Sequence, residues 1–196
     1  MTDEVRSSGK FAVASQLALS RPIGLVGFMG AGKTTVGQAL ALRLEREFID
    51  LDEVIEARAQ RTIPQIFDEN GESGFRRLER ELLEEILGSP RTTGWILSLG
   101  GGAFIDHRNR ELLRENEVQT VFLDAPAEEL YRRCRKPGPA RPLSSDRGRF
   151  DSLLIERRPA YLTAAFLVQT AGREVASIVD EIIARLSLDE HAGAPA

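Results

Sequence analysis

One cysteine, Cys134, stands in the 196 residues, so no disulfide can form within the chain. A lone thiol fits a reducing compartment, where it is ordinarily structural, and a cytoplasmic location is expected. No apolar run approaches the roughly 20 residues of a membrane span. The segment Phe11-Ala-Val-Ala-Ser-Gln-Leu-Ala-Leu19 after Lys10 has a trace of an export signal, but Ser15 and Gln16 interrupt it, Ser20 ends it and a glycine-rich motif follows at once. Residues 1–20 are therefore expected to be a flexible leader. No internal repeat and no Pro/Gly/Ser-rich linker divides the chain. Its length, with 42% hydrophobic and 29% charged residues, fits one globular domain with a real core.

There is also little excess of charge, yet what there is lies unevenly. Residues 132–158 carry nine basic side chains against three acidic ones, so this stretch is +6 and, at a net −4, the remainder is −10. A basic patch can mean nucleic acid. Here aromatics are only 6% of the chain, none forms a stacking platform within the patch, and the acidic remainder repels a polyanion. A triphosphate and a small anionic substrate suit the pattern better. A solvated arginine-rich loop is the plainer reading for individual members.

Strand and helix patterns alternate, which implies an α/β domain with helices on both faces of a parallel sheet. Strands are expected at 23–26, 47–50, 95–99, 118–123 and 165–169. Helices are expected at 34–46, 51–60, 63–70, 74–87, 107–115, 126–134, 150–158 and 172–186. Residues 135–149 carry three prolines and no periodicity, the character of a lid. The tail from 188 is small and polar and is expected to be disordered.

The most informative segment is Gly27-Phe-Met-Gly-Ala-Gly-Lys-Thr34, which satisfies G-x-x-x-x-G-K-[ST]. In that phosphate-binding loop, backbone N–H groups between a strand and a helix wrap a nucleotide's phosphates. Gly27, Gly30 and Gly32 allow backbone angles and close approaches that a Cβ blocks. Lys33 can reach the β- and γ-phosphates, and the Thr34 hydroxyl can ligate Mg²⁺. The preceding apolar run 23–26 and the helical spacing of Val36, Leu40 and Leu44 supply the required context.

Further motifs narrow the reaction. Asp50 and Asp52 close the second strand, where ligands of open α/β sheets sit. Asp50 is placed to reach Mg²⁺ through a water, and Asp52 to take a hydrogen bond or a proton from an acceptor hydroxyl. Helix N-capping by either residue is the alternative. The third strand runs into Gly100-Gly101-Gly102, where a ligand can lie against bare backbone. Ser98 stands where many phosphate-loop proteins carry a metal-directed Asp, which throws weight on Thr34 and Asp50. Phe75, Leu78, Leu82, Leu83 and Ile86 read as the core face of a long helix. Arg76 and Arg77 can simply pair with Glu79 and Glu81 along its surface.

Taken in order, GFMGAGKTT (27–35), FIDLD (48–52), GESGFRRLE (71–79), LSLGGG (97–102), ARPL (140–143) and ERRPAY (156–161) resemble shikimate kinases from residue 21 to about 186. The resemblance implies a three-layer α/β/α phosphate-loop NTPase fold with a five-stranded parallel sheet, domain limits near 21–187, a shikimate-binding region about 51–80 and a mobile lid. It implies ATP-dependent phosphorylation of the 3-hydroxyl of shikimate in aromatic amino-acid biosynthesis. Gly30, Ala31, Gly32, Lys33, Thr34 and Thr35 match the ATP-phosphate loop, with Thr34 and Asp50 toward Mg²⁺. Asp52, Arg76, Gly100, Gly101, Gly102 and Arg157 match shikimate contacts. Arg141 in the lid matches an arginine on the ATP phosphates, and Arg133 and Arg173 fall near adenine-side arginines. Val175 stands where some relatives have a proline. Lys33, Asp52 and Arg141 are the expected catalytic groups.

The physical logic agrees: two arginines suit a carboxylate bidentately, and phosphoryl transfer asks mainly for positioning and charge neutralisation. A monomer is expected, with neither nucleic-acid nor membrane partner. A different small-molecule kinase, such as a gluconate kinase, and a non-catalytic ligand sensor are the competing readings. Against the sensor, a leader of 20 residues is too short for a DNA-binding module, and Lys33, Thr34, Asp50 and Asp52 are all present.

Overall fold

A computed structural model describes residues 21–90, 94–135 and 146–192, with side chains as far as 187. The leader, Arg141 and residues 136–145 of the expected lid lie outside the described residues.

Five parallel strands form one sheet in the order β2-β3-β1-β4-β5. They are β1 (Ile23–Val26), β2 (Phe48–Asp50), β3 (Ile96–Ser98), β4 (Gln119–Asp124) and β5 (Phe166–Gln169). β1 is buried at every position because it pairs on both edges, Leu25 opposite Ser98 of β3 and Val121 of β4. A parallel strand covered by helices on both faces must be continuously apolar, as Ile-Gly-Leu-Val is. The edge strands β2 and β5 are only partly buried.

Among the described residues seven α-helices surround the sheet: α1 (Lys33–Leu44), α2 (Leu51–Ala59), α3 (Ile63–Gly88), α4 (His107–Glu115), α5 (Ala127–Cys134), α6 (Arg147–Tyr161) and α7 (Val175–Ala192). α1 packs on α7, while α3 packs on α2 and α4. Leu40, Ile55, Leu83, Leu113 and Ile182 seal these contacts, each no more than 1% exposed. Burial of such a side chain stabilises the fold by about 1.5–3 kcal/mol.

Several boundaries differ from expectation. The separate helices at 63–70 and 74–87 are one element, α3, kinked at Gly71, whose φ of 67° and ψ of 178° interrupt the helix. A capping box between Thr62 and Gln65, followed by Pro64, fixes the start of α3. α6 begins at Arg147, three residues before the expected start, because Asp146 accepts a hydrogen bond from the Arg149 N–H and caps it. α7 starts at Val175, later than 172, and its backbone runs to Ala192, past the expected domain limit of 187.

Candidate functional site

The glycine-rich loop leaves β1 and enters α1 with Gly27, Gly30 and Gly32 at φ of 145°, 81° and 95°. These angles lie where side chains are strained, and the space is closed as well. A Cβ at Gly27 would sit 2.5 Å from the Leu123 carbonyl oxygen, and one at Gly30 would sit 2.6 Å from that of Leu130. The loop is thus pressed against the end of β4 and against α5. Lys33 folds back over it, donating to the carbonyls of Gly27 (2.9 Å) and Phe28 (3.3 Å). No acidic residue occupies the first turn of α1, so its positive end stays available to an anion.

Thr34 and Asp50 meet beside this loop: the Thr34 hydroxyl donates to Asp50 Oδ2 at 2.9 Å. Asp50 Oδ1 accepts the Asp52 N–H at 3.1 Å and caps α2. Capping therefore uses one oxygen of Asp50 and leaves the other on the Thr34 hydroxyl. Asp52 lies in the first turn of α2 and feels the Lys33 ammonium and the carboxylates of Asp50 and Glu56. Burial dominates and raises its pKa above the usual aspartate value, against the opposing pull of Lys33.

A second group of side chains gathers on the glycine triplet that follows β3. A Cβ at Gly100 would sit 2.5 Å from Asp52 Oδ1 and 3.5 Å from Glu79 Oε1, and one at Gly102 would collide with the Arg76 guanidinium. The triplet is glycine because Asp52 and Arg76 occupy that space. Between them, the Gly101 carbonyl accepts from Arg157 at 3.3 Å and from the Tyr161 hydroxyl. Tyr161 is buried, which pushes its pKa up to about 12 and keeps it a donor. Arg76, only 24% exposed, pairs with Glu79 at 2.8 Å and lies over the Phe75 ring, which itself stacks on Phe67 at 4.5 Å. Gly101 also joins the two halves: a Cβ there would lie 3.9 Å from the Gly27 carbonyl oxygen. The arrangement offers an anion cradle and, next to it, a polar cluster with two arginines, Arg76 and Arg157, and two carboxylates, Asp52 and Glu79.

The model of the shikimate kinase family matches residues 29–187. A shikimate kinase of Bordetella avium is 42% identical over 180 residues, which is 90% of this chain and 84% of that relative. The chain belongs to the shikimate kinase family. The shikimate kinase of Acinetobacter baumannii, solved in complex with shikimate, superposes with a TM-score of 0.78 at 34% identity and covers 92% of this chain and 99% of its own. A gluconokinase from Sinorhizobium meliloti reaches a TM-score of 0.58 at 18% identity over 90% of this chain and 99% of its own, which shows a shared fold alone.

Within that family framework, the residues picked out from the sequence divide into two sets. Gly30 to Thr35, Asp50, Asp52, Arg76, Gly100 to Gly102 and Arg157 come together at the carboxyl ends of β1, β2 and β3. Arg133 reaches the back of the phosphate loop, donating to the carbonyls of Gly30 (3.4 Å) and Thr170 (2.9 Å) and to Glu129 (2.8 Å). Arg173 turns instead onto Gln169, Ser177 and Glu181 around the start of α7. The basic stretch is not one field of free cations, because Arg132 and Arg133 pair with Glu129, Arg147 with Glu128 and Arg158 with Asp124.

Sequence reasoning missed Glu79, 1% exposed and raised in pKa chiefly by burial. The signal was present: Glu79 falls on the same helical face as Phe75, Leu82 and Ile86, so a surface reading of it was inconsistent with its own stripe. Tyr161 stood inside a quoted motif without a role.

Proposed function

We propose the following division of labour for the family's reaction, the ATP-dependent phosphorylation of shikimate at its 3-hydroxyl, a step of aromatic amino-acid biosynthesis. Gly30 to Thr35 cradle the ATP phosphates, and Lys33 leaves its loop carbonyls to meet the β- and γ-oxygens. Arg76 and Arg157 take the shikimate carboxylate, with Glu79 holding the Arg76 guanidinium and the Gly101 carbonyl holding Arg157. Asp52 orients the 3-hydroxyl and accepts its proton. A bond forms between that oxygen and the γ-phosphorus, the bond from the γ-phosphorus to the β–γ bridging oxygen breaks, and ADP leaves with the electron pair. Burial suits Asp52 to this task, since a raised pKa makes a carboxylate a stronger base.

The Thr34 hydroxyl and the Asp50 carboxylate are hard oxygen donors and fit Mg²⁺, with water and phosphate oxygens completing its shell. Bound there, Mg²⁺ would neutralise charge developing on the phosphates. From the sequence resemblance, Arg141 adds a cation on the ATP phosphates, and Arg133 and Arg173 serve the adenine side. The size of the chain favours a monomer, and its single cysteine a cytoplasmic enzyme. Among the described residues no helix is long and apolar enough to cross a membrane.

The observation that carries the reading is the apposition of Gly101 and Gly27, which sets the acceptor pocket against the donor cradle. ADP release with shikimate, and with gluconate as control, tests it. Turnover is expected with shikimate alone. Arg76→Ala is expected to raise the KM for shikimate roughly 100-fold or more while leaving nucleotide affinity near wild type, since it removes a charge-assisted pair to the acceptor. Unchanged kinetics in that variant would remove Arg76 from the site.

A further inference from the structure

Arg157 and Arg158 are consecutive on α6 and so point in directions about 100° apart. Arg157 goes to the Gly101 carbonyl. Arg158 goes the other way: its Nη2 donates to Asp124 Oδ2 at 2.8 Å, at the carboxyl end of β4. The Asp124 side chain is only 7% exposed, and besides Arg158 this oxygen receives only a 3.3 Å hydrogen bond from Gln169 among the described residues. A carboxylate so enclosed depends on its cation.

The backbone explains why α6 needs this second tie. Pro159 stands in the last turn of the helix. It has no N–H to give the carbonyl four residues earlier, and its ring crowds that carbonyl, so the turn carrying both arginines lacks part of its own ladder. Side chains hold it instead, Arg157 and Tyr161 on one flank and Arg158 on the other.

We propose that the Asp124–Arg158 pair is a positioning device that sets the rotation of the end of α6 and thereby aims Arg157 at the acceptor carboxylate. This assignment rests on the role given to Arg157 above. Asp124 is itself well anchored. Its carbonyl accepts the Thr170 N–H at 2.8 Å and the Thr170 hydroxyl at 3.2 Å, and Thr170 is held in turn by Arg133 beside Gly30. The pair thus references the acceptor arm to the rigid strand ends behind the phosphate loop.

Steady-state kinetics of Arg158→Gln and Asp124→Asn test the proposal, with Tm measured on each. Both variants are expected to raise the KM for shikimate roughly three- to tenfold, with kcat and the KM for ATP within about twofold of wild type. Arg158→Lys, which keeps a cation within reach of Asp124, is expected to recover most of the loss. In the double variant the shikimate effect is expected to equal that of either single change rather than their product, because both break the same contact. A KM for shikimate within twofold of wild type in both single variants overturns the proposal. So does an equal rise in both KM values, the mark of a merely loosened fold. If Arg158→Gln does not fold, Asp124→Asn, which removes the buried charge itself, decides alone. Arg157→Ala separates the two roles: wild-type KM for shikimate in that variant would overturn the site assignment on which this inference stands.

Discussion

Asp52 is held where a carboxylate is useful and uncomfortable. Burial raises its pKa, and the nearby Lys33 ammonium only partly compensates. Asp52→Asn removes the charge and keeps the shape. Its turnover is expected to fall roughly 100- to 10,000-fold, the usual loss on removing a general base, while nucleotide titration gives wild-type affinity. The same variant is expected to melt a few degrees higher at neutral pH, since no buried charge then opposes folding. A loss of ATP affinity would move Asp52 to the metal side of the site. At this scale the sequence was most legible for residues whose chemistry is tied to a spacing, such as Lys33, Thr34 and the Asp50/Asp52 pair. Arg76 gave no sign by itself, because an arginine beside glutamates on a helix looks the same whether it lies on the surface or over a glycine triplet. Asp124 was illegible for a different reason. Its partner Arg158 is 34 residues away, and no local pattern records a contact between a strand end and a distant helix.

Among the elements, α3 is the one whose continuity depends on a single position. Gly71 adopts φ 67° and ψ 178°, a region open to glycine almost alone, and a Cβ there would meet nothing within 4 Å. The cost of Gly71→Ala is therefore one of backbone conformation without any steric clash. It is expected at about 1–3 kcal/mol, read as a Tm lower by roughly 3–10 °C in thermal unfolding. A wild-type Tm would mean that the kink relaxes into a straight helix. The kink also explains why the sequence divided this helix in two: Gly71 and Gly74 are ordinary breakers, and the capping signal at Thr62 announces only one start. The start of α6 was hidden by composition, because Arg-Gly-Arg at 147–149 has no apolar periodicity and reads as the end of a loop. Its helix is set by the Asp146 cap and by Arg147, which bonds to Asp151 one turn on and to Glu128 on α5.

The whole molecule carries the buried carboxylates as a pH dependence. Asp52 and Glu79 have folded-state pKa values raised by burial, so over the window above the ordinary carboxylate range the folded chain binds more protons than the unfolded one. Stability contributed by these two groups falls as pH climbs through that window. Tm is expected to decline as pH rises above the ordinary carboxylate range, with a flatter profile in Asp52→Asn. Glu129, held down to about 2 by Arg132 and Arg133, works in the opposite sense and loses its contribution only in strong acid. The order of the sheet was legible neither in the motifs nor in the family resemblance, which implied five parallel strands without an order; β1 at its centre comes from the structure. That fact has a consequence in time. Of the described strands β1 leaves the ribosome first, and both its neighbours, β3 and β4, follow some 70 to 100 residues later. At about 5–20 residues per second, the strand that presents the phosphate loop waits roughly 4–14 seconds with two apolar edges unpaired. Slower translation lengthens that exposure, so the yield of folded protein is expected to fall when synthesis is slowed, by a route that the stability of the finished sheet does not govern.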